Sequence, residues 1–317
     1  MVLRSTLVAF LLFAASAVAQ NFPERPLRMI VPFSPGAGTD MLARIAARKL
    51  QDAWGQNMVV ENRPGGGTIN GVLVAAKSPA DGYTYVMITP SFIINATGVR
   101  KLPYDSINDF APVTLFASSP LLLVAHPSLP VKSVAALLAL AKARPREITY
   151  ASAGTGSPTH LGMEIFALKG SPMVHVPYKG AAPGIVDLLG GHVQVMMTTL
   201  AFVRPHVQRG RLHALGVSTL KRSSSMPDMP TVAEAGVPGF EYLGWYGMLA
   251  PAGTPRDIVM RLHDEFVRIV NTPDMRERFA ADGAEAIGDT PEHFNAYLKQ
   301  ELARWSKVIK AAGTKID

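Results

Sequence analysis

Leu27-Arg28-Met29-Ile30-Val31, then Pro35-Gly36-Ala37-Gly38-Thr39-Asp40, then Met41 through Trp54: this stretch decides the fold. An apolar, β-branched run is followed by a Gly-rich turn. The next segment carries Leu42, Ile45, Leu50 and Trp54 near helical spacing and stops at Gly55. The unit repeats at once, with Met58 to Glu61 as a strand, Arg63-Pro64-Gly65-Gly66-Gly67-Thr68 as a loop, Ile69 to Lys77 as a helix and Tyr83 to Thr89 as a third strand. Such alternation predicts βαβ units and a mostly parallel sheet flanked by helices.

Leu115 to Ala125 is apolar, longer than an ordinary strand and interrupted by Ser118-Ser119-Pro120, as expected of a segment passing from one lobe to another. The rhythm then restarts. Val134 to Ala143, Pro158 to Leu168 and Gly180 to Leu189 read as helices, and Ile148 to Ser152, Met173 to Tyr178, Val193 to Met197 and Leu212 to Ser218 as strands. Glu241 to Ala250 is the expected return strand. Three C-terminal helices each open on Thr-Pro (254, 272 and 290) with Asp257, Asp274 or Glu292 in the first turn, which predicts threonine caps and proline at the first helical position. The expected division is a lobe of 20–120 plus 246–317 and a lobe of 121–245, hinged near 116–124 and 242–249.

Residues 1–19 read as an export signal: Arg4 is the basic end, Leu7 to Ala15 the apolar stretch, and Ala17-Val18-Ala19 the cleavage box before Gln20. The apolar run is short of the ~20 residues needed to span a bilayer, and no Cys follows for lipidation. Within 317 residues there are 27 Gly, 25 Pro and no Cys, with 48% hydrophobic and 17% charged, a globular composition that excludes thiolate metal sites and cysteine nucleophiles. The formal net charge is +7, or +6 without Arg4, and the basic residues are scattered rather than striped. No nucleic-acid partner is expected; a mild bias toward anionic ligands is.

Four strand-to-helix joints rich in Gly and small hydroxyl residues, 34–40, 65–68, 153–159 and 179–184, fall on the sheet edge where ligands of α/β proteins bind. Each aims backbone N–H groups and the positive end of a helix dipole at that edge, an anion site that needs no arginine. Nucleotide fingerprints fail. After Gly36-Ala37-Gly38 the third glycine position is Met41, the acid Glu61 lies too far on, and no Walker lysine occurs. No G-x-S-x-G elbow or H-E-x-x-H helix is present. His160 and Glu164 share a helix face at i, i+4, read as a hydrogen-bonded pair rather than a metal site. Asp40 is read as the helix cap at a ligand-facing turn, and Phe33 as pocket wall or core.

Arg25-Pro26 through Val31-Pro32-Phe33, Pro35 to Asp40, Glu61-Asn62-Arg63-Pro64-Gly65, Ala80-Asp81-Gly82-Tyr83, Tyr150 through Ser157 with His160-Leu161, and Val176-Pro177-Tyr178-Lys179-Gly180 together resemble the substrate-binding proteins of tripartite tricarboxylate transporters, the Bug receptors. Gly190-Gly191, Glu234-Ala235-Gly236, Ala250 through Pro255 and Arg304-Trp305 extend the resemblance over the mature chain. It implies a two-lobed periplasmic binding protein of type II-like α/β architecture, closing on a small carboxylate. Carried over by position, the ligand set is Phe33, Ser34, Ala37, Gly38, Thr39 and Asp40; Thr68; Ser91; Ala153, Gly154, Thr155, Gly156, Ser157 and His160; Tyr178 and Lys179; and Thr198. At Thr198 the family often has Asp, so its loss disfavours an amino-acid ligand. The resemblance further implies a monomeric periplasmic receptor, not an enzyme, without cofactor or metal, that delivers a di-, tri- or aromatic carboxylate to integral membrane subunits. The alternative is an exported hydrolase or dinucleotide enzyme built on the same joints.

Overall fold

The computed structural model describes residues 22–36, 38–98, 101–155, 157–169, 172–223 and 225–312. The export segment expected at 1–19, and Ala37 and Gly156 of the expected site, lie outside the described residues. The opening unit forms as read: β1 (Leu27–Val31), α1 (Gly38–Trp54), β2 (Met58–Asn62), a 3₁₀ turn at Gly66–Thr68, α2 (Ile69–Ala76) and β3 (Thr84–Ile88). β1 pairs in parallel with both β2 and β3.

A helix the sequence reading missed, α3 (Pro90–Gly98), follows β3 across the single residue Thr89. Then β4 (Phe110–Ala125) begins earlier than expected and runs for 16 residues. The following units are α4 (Val134–Ala143), β5 (Thr149–Ser152), α5 (Pro158–Lys169), β6 (Val174–Pro177), α6 (Ala181–Leu189), β7 (Val195–Thr199), α7 (Leu200–Gln208) and β8 (His213–Val217). Of these only α7 was missed. It too follows its strand without a Gly-rich joint, so the punctuation that marks the other helices is absent.

β9 (Leu243–Pro251) returns the chain, and α8 (Arg256–Val270), α9 (Pro273–Asp282), β10 (Glu285–Ala286) and α10 (Pro291–Ala312) complete it. The threonine-cap expectation holds for one helix of the three. Thr290 accepts the His293 N–H at 3.2 Å, whereas the Thr254 and Thr272 hydroxyls donate backward to the carbonyls of Pro251 and Ile269, both at 2.8 Å. The end of α8 supplies the reason for Thr272: its last carbonyls lack helical donors, and this hydroxyl is within reach.

The sheet order is β2-β1-β3-β9-β4-β7-β5-β6. β4 belongs to both halves of it. From Phe110 to Pro120 it pairs antiparallel with β9, and from Leu121 to Ala125 with β7 and β8. Ser218, fully buried after β8, ties the two crossings together: its hydroxyl donates to the Tyr242 carbonyl at 2.6 Å and accepts the Leu121 N–H at 2.8 Å. Helices cover both faces. Phe92, Leu249, Phe294 and Trp305 pack on one side of the first lobe, and Leu42, Phe116, Leu262 and Phe266 on the other. The result is a two-lobed α/β fold whose halves are joined by the crossing strands β4 and β9. Among the described residues no helix is long and apolar enough to cross a membrane.

In the second lobe, β5, β6 and α5 bring three rings together. His175 packs against both Tyr150 and His160, with ring centroids 5.0 and 4.1 Å away. The Tyr150 hydroxyl donates to Glu164, and His160 Nε2 lies 3.9 Å from the same carboxylate. Burial pushes His160 down to about 4; burial first and the neighbouring His160 second do the same to His175. Both rings are therefore neutral in the folded protein, while the unfolded chain takes up protons below about pH 6.5. Stability contributed by the neutral rings is present above that pH and lost as the pH falls through about 4. Melting between pH ~7 and ~4.5 should show the wild type losing roughly 5 °C more than His160→Gln/His175→Gln. Parallel losses in the two proteins would refute the assignment.

Candidate functional site

Each strand-to-helix joint is built from behind. At the first, Asp40 is 2% exposed; it accepts the Gly36 N–H at 2.9 Å and Asn62 Nδ2 at 2.8 Å, and pairs with Arg44 at 3.0 Å. Burial alone would raise its pKa, but the bonds from Arg44, Gly36 and Asn62 outweigh it and hold the carboxyl below its ordinary value. Asp40 thus shapes the turn and is spent on it. At the second joint Thr68 adopts φ +88, its hydroxyl 3.2 Å from Asn95 Nδ2, which also donates to the Gly67 carbonyl at 2.7 Å. Ser91 is buried beside Thr89 at the start of α3.

At the third joint the Ala153 N–H donates to Thr159 Oγ1 at 2.7 Å, and Ser157 Oγ accepts the His160 N–H at 3.3 Å as the cap of α5. His175 Nε2 lies 2.7 Å from Ser152 Oγ, which accepts the Gly154 N–H at 3.1 Å. Gly154 has φ +118, a conformation that favours glycine, and a Cβ there would sit a tight 3.1 Å from the Tyr178 carbonyl. At the fourth joint the Tyr178 hydroxyl donates to Asp187 at 2.6 Å, while Lys179 is exposed.

The first, third and fourth joints border a cavity of about 80 Å³ between the lobes. Of the expected residues, Phe33, Gly38, Thr39, Ala153, Ser157 and Thr198 form its wall. Ser34, Asp40, Thr68, Ser91, Gly154, Thr155, His160, Tyr178 and Lys179 do not. Asp40, Thr68 and Gly154 lie in the layer that holds the joints, Tyr178 is turned to Asp187, and Lys179 points to solvent. The ligand set expected from sequence leaves out Ser119 and Leu121 of β4, Pro158, Thr159, Ala181, Thr199, Phe202, and Gly244 through Tyr246 of β9. For β4 and β9 the signal was present, since Ser118-Ser119-Pro120 and the return strand were both recognised as crossings.

The cavity wall takes in the N-terminal ends of α1, α5, α6 and α7, through Gly38 and Thr39, Ser157 to Thr159, Ala181, and Thr199. α6 and α7 lack side-chain caps, at Gly180 and Thr199 respectively, so their first N–H groups have no side-chain acceptor. No Lys, Arg, Asp or Glu is among the described lining residues. Two lining residues hold buried polar atoms without a hydrogen-bond partner, Thr198 Oγ1 and Trp245 Nε1. A second chamber of about 250 Å³ adjoins the first, sharing Gly38, Ser119, Thr199, Phe202 and Tyr246 and adding Met41, Leu42, Arg278, Phe279 and Ala284. A depression of about 450 Å³ on the outside of α1, beside Arg44, Arg48 and Asp52, is open to solvent and touches no joint. Among the described residues no cluster of three or more His, Asp or Glu is placed to hold a metal ion.

Residues 42–314 match the family described as Tripartite tricarboxylate transporter family receptor. Protein BugT of Bordetella pertussis is 39% identical over 306 residues, covering 96% of this chain and 94% of that protein. The structure titled R. palustris Rpa4515 with adipate superposes with a TM-score of 0.86 at 39% identity, covering 92% of this chain and 99% of the other. MatC (Rpa3494) from Rhodopseudomonas palustris with bound malate gives 0.84 at 29% identity, covering 91% and 100%. A profile match across most of the chain, together with full-length relatives of the same two-lobed build, shows that the chain belongs to the tripartite tricarboxylate transporter receptor family and is a solute receptor, not an enzyme.

Proposed function

We propose that this receptor is exported to the periplasm, closes on a small organic carboxylate and hands it to the membrane subunits of a tripartite tricarboxylate-type transporter. The observation that carries the ligand class is the convergence of the α1, α5, α6 and α7 N-terminal ends on a cavity with no charged side chain among its described lining residues. Helix N-termini attract anions through their free N–H groups and dipoles. The adipate and malate in the relatives' structures are carboxylates of this class. Phe33, Gly38, Thr39, Ala153, Ser157 and Thr198 are the proposed contacts, with Ala37 and Gly156 in the same joints by sequence. Lys179 is a weaker candidate, since an exposed cation is screened by solvent.

Thr198 is decisive. Thr198→Val removes an unpartnered buried hydroxyl at nearly constant volume, so the empty protein should melt about 2 °C higher while affinity for adipate falls about tenfold. An ionised carboxylate within about 4 Å of a bound one costs on the order of 4 kcal/mol, so Thr198→Asp should weaken binding by up to a thousandfold. Calorimetric titration of the three proteins decides, provided each is folded: equal dissociation constants would place Thr198 outside the site.

The proposed lobes are 20–120 plus 246–317 and 121–245, hinged at 116–124 and 242–249. Closure of that hinge should make the protein more compact, and small-angle scattering with and without a saturating acid should show a smaller radius of gyration. An unchanged radius, with binding confirmed by calorimetry, would eliminate the hinge.

A further inference from the structure

The inner cavity, at about 80 Å³, is the smaller of two adjoining spaces, and a longer acid seated in it can extend into the second. The adjoining chamber of about 250 Å³ is the space available, and its own walls change character: Met41, Leu42, Phe279 and Ala284 are apolar, and one cation, Arg278, stands among them. Leu42 and Phe279 are buried members of one core, so these walls are held in place.

Arg278 differs from the arginines nearest it in sequence. Arg268 is bonded to Glu265 and Arg276 to Asn271, while Arg278 makes no ion pair or hydrogen bond with any described residue. It is exposed on α9, next to the buried Phe279, where a guanidinium is free to turn toward the chamber and bind a carboxylate through two N–H groups. The outer chamber thus sets a cation and apolar walls beside the uncharged inner cavity.

We infer that the outer chamber is a second subsite, in which Arg278 selects ligands carrying a further carboxylate at the far end of an apolar spacer. This rests on the carboxylate reading of the inner cavity. It adds a length requirement, since Arg278 lines the outer chamber alone and a short diacid held in the inner cavity would not reach it. The contribution is modest because the arginine is exposed, which makes it a selector among acids rather than the source of affinity.

Titration calorimetry at low salt tests this with succinate, adipate and suberate, each beside the monocarboxylate of equal length, on the wild type, Arg278→Gln, Arg278→Lys and Ala284→Leu. Arg278→Gln should weaken the longer diacids about fivefold and leave monocarboxylates unchanged, with Arg278→Lys recovering most of the loss. Ala284→Leu, which narrows the chamber without altering charge, should weaken the longer acids and spare succinate. Unchanged diacid affinity in Arg278→Gln, or equal losses for mono- and dicarboxylates, overturns the subsite and leaves the receptor reading standing. A folded wild type that binds none of these acids overturns the receptor reading and the subsite with it.

Discussion

Sixteen residues of β4 run as one strand, with local register shifts, through both halves of the sheet, and that continuity fixes the position of every other part of the site. An extended strand is stiff along its length, so the lobes on either side of Pro120 are held edge to edge, with little freedom except twist and bend at the transfer point. At that point the backbones crowd. Gly244 faces Ser119, and a Cβ on Gly244 would come within 2.8 Å of the Ser119 carbonyl. The Ser218 hydroxyl then bonds both crossing segments at once. With the crossing held so tightly, the strand-to-helix joints of the two lobes have one place to face each other, across Ser119, Leu121 and Gly244 through Tyr246.

The division of labour in the site follows from electrostatics. A fixed cation inside a recessed, largely apolar cavity would cost desolvation energy whenever the cleft was empty, and the described lining avoids it. Backbone N–H groups at helix ends are partial charges held by the fold itself, present in the empty state at little cost. The charged residues nearby serve the scaffold. Asp40 is bonded to Gly36, Asn62 and Arg44, while Ser152 and His175 hold Gly154, so the polar side chains set the shape of the turns and the turns present the donors.

Much of this was readable from the residues, for identifiable reasons. The joints at 34–40 and 153–159 announced themselves through Gly, Pro and hydroxyl residues, because a strand that turns abruptly into a helix needs them. α3 and α7 were invisible by the same criterion, since Thr89 and Thr199 make the turn alone. Side-chain direction was the other blind spot. Tyr178 and Lys179 occupy a joint by sequence, yet one is drawn to Asp187 and the other to solvent, which adjacency along the chain does not encode. Phe202 and Tyr246 reach the cavity from α7 and β9, distant in sequence, through a crossing that only the assembled sheet reveals.

The chain leaves the β4–β9 ladder at Pro120 and re-enters it at Leu243, so the two ends of the 121–242 excursion meet on paired positions of one ladder. Seen as an evolutionary unit, that excursion is a cassette with its seam inside a single pair of strands. An exchange between relatives at this seam would carry the ends of α5, α6 and α7 across together, with Thr198 and Thr199, and leave α1 and Arg278 behind. New ligand preferences would then arise by recombining two half-sites that had each already folded and been selected, rather than by rebuilding a pocket residue by residue.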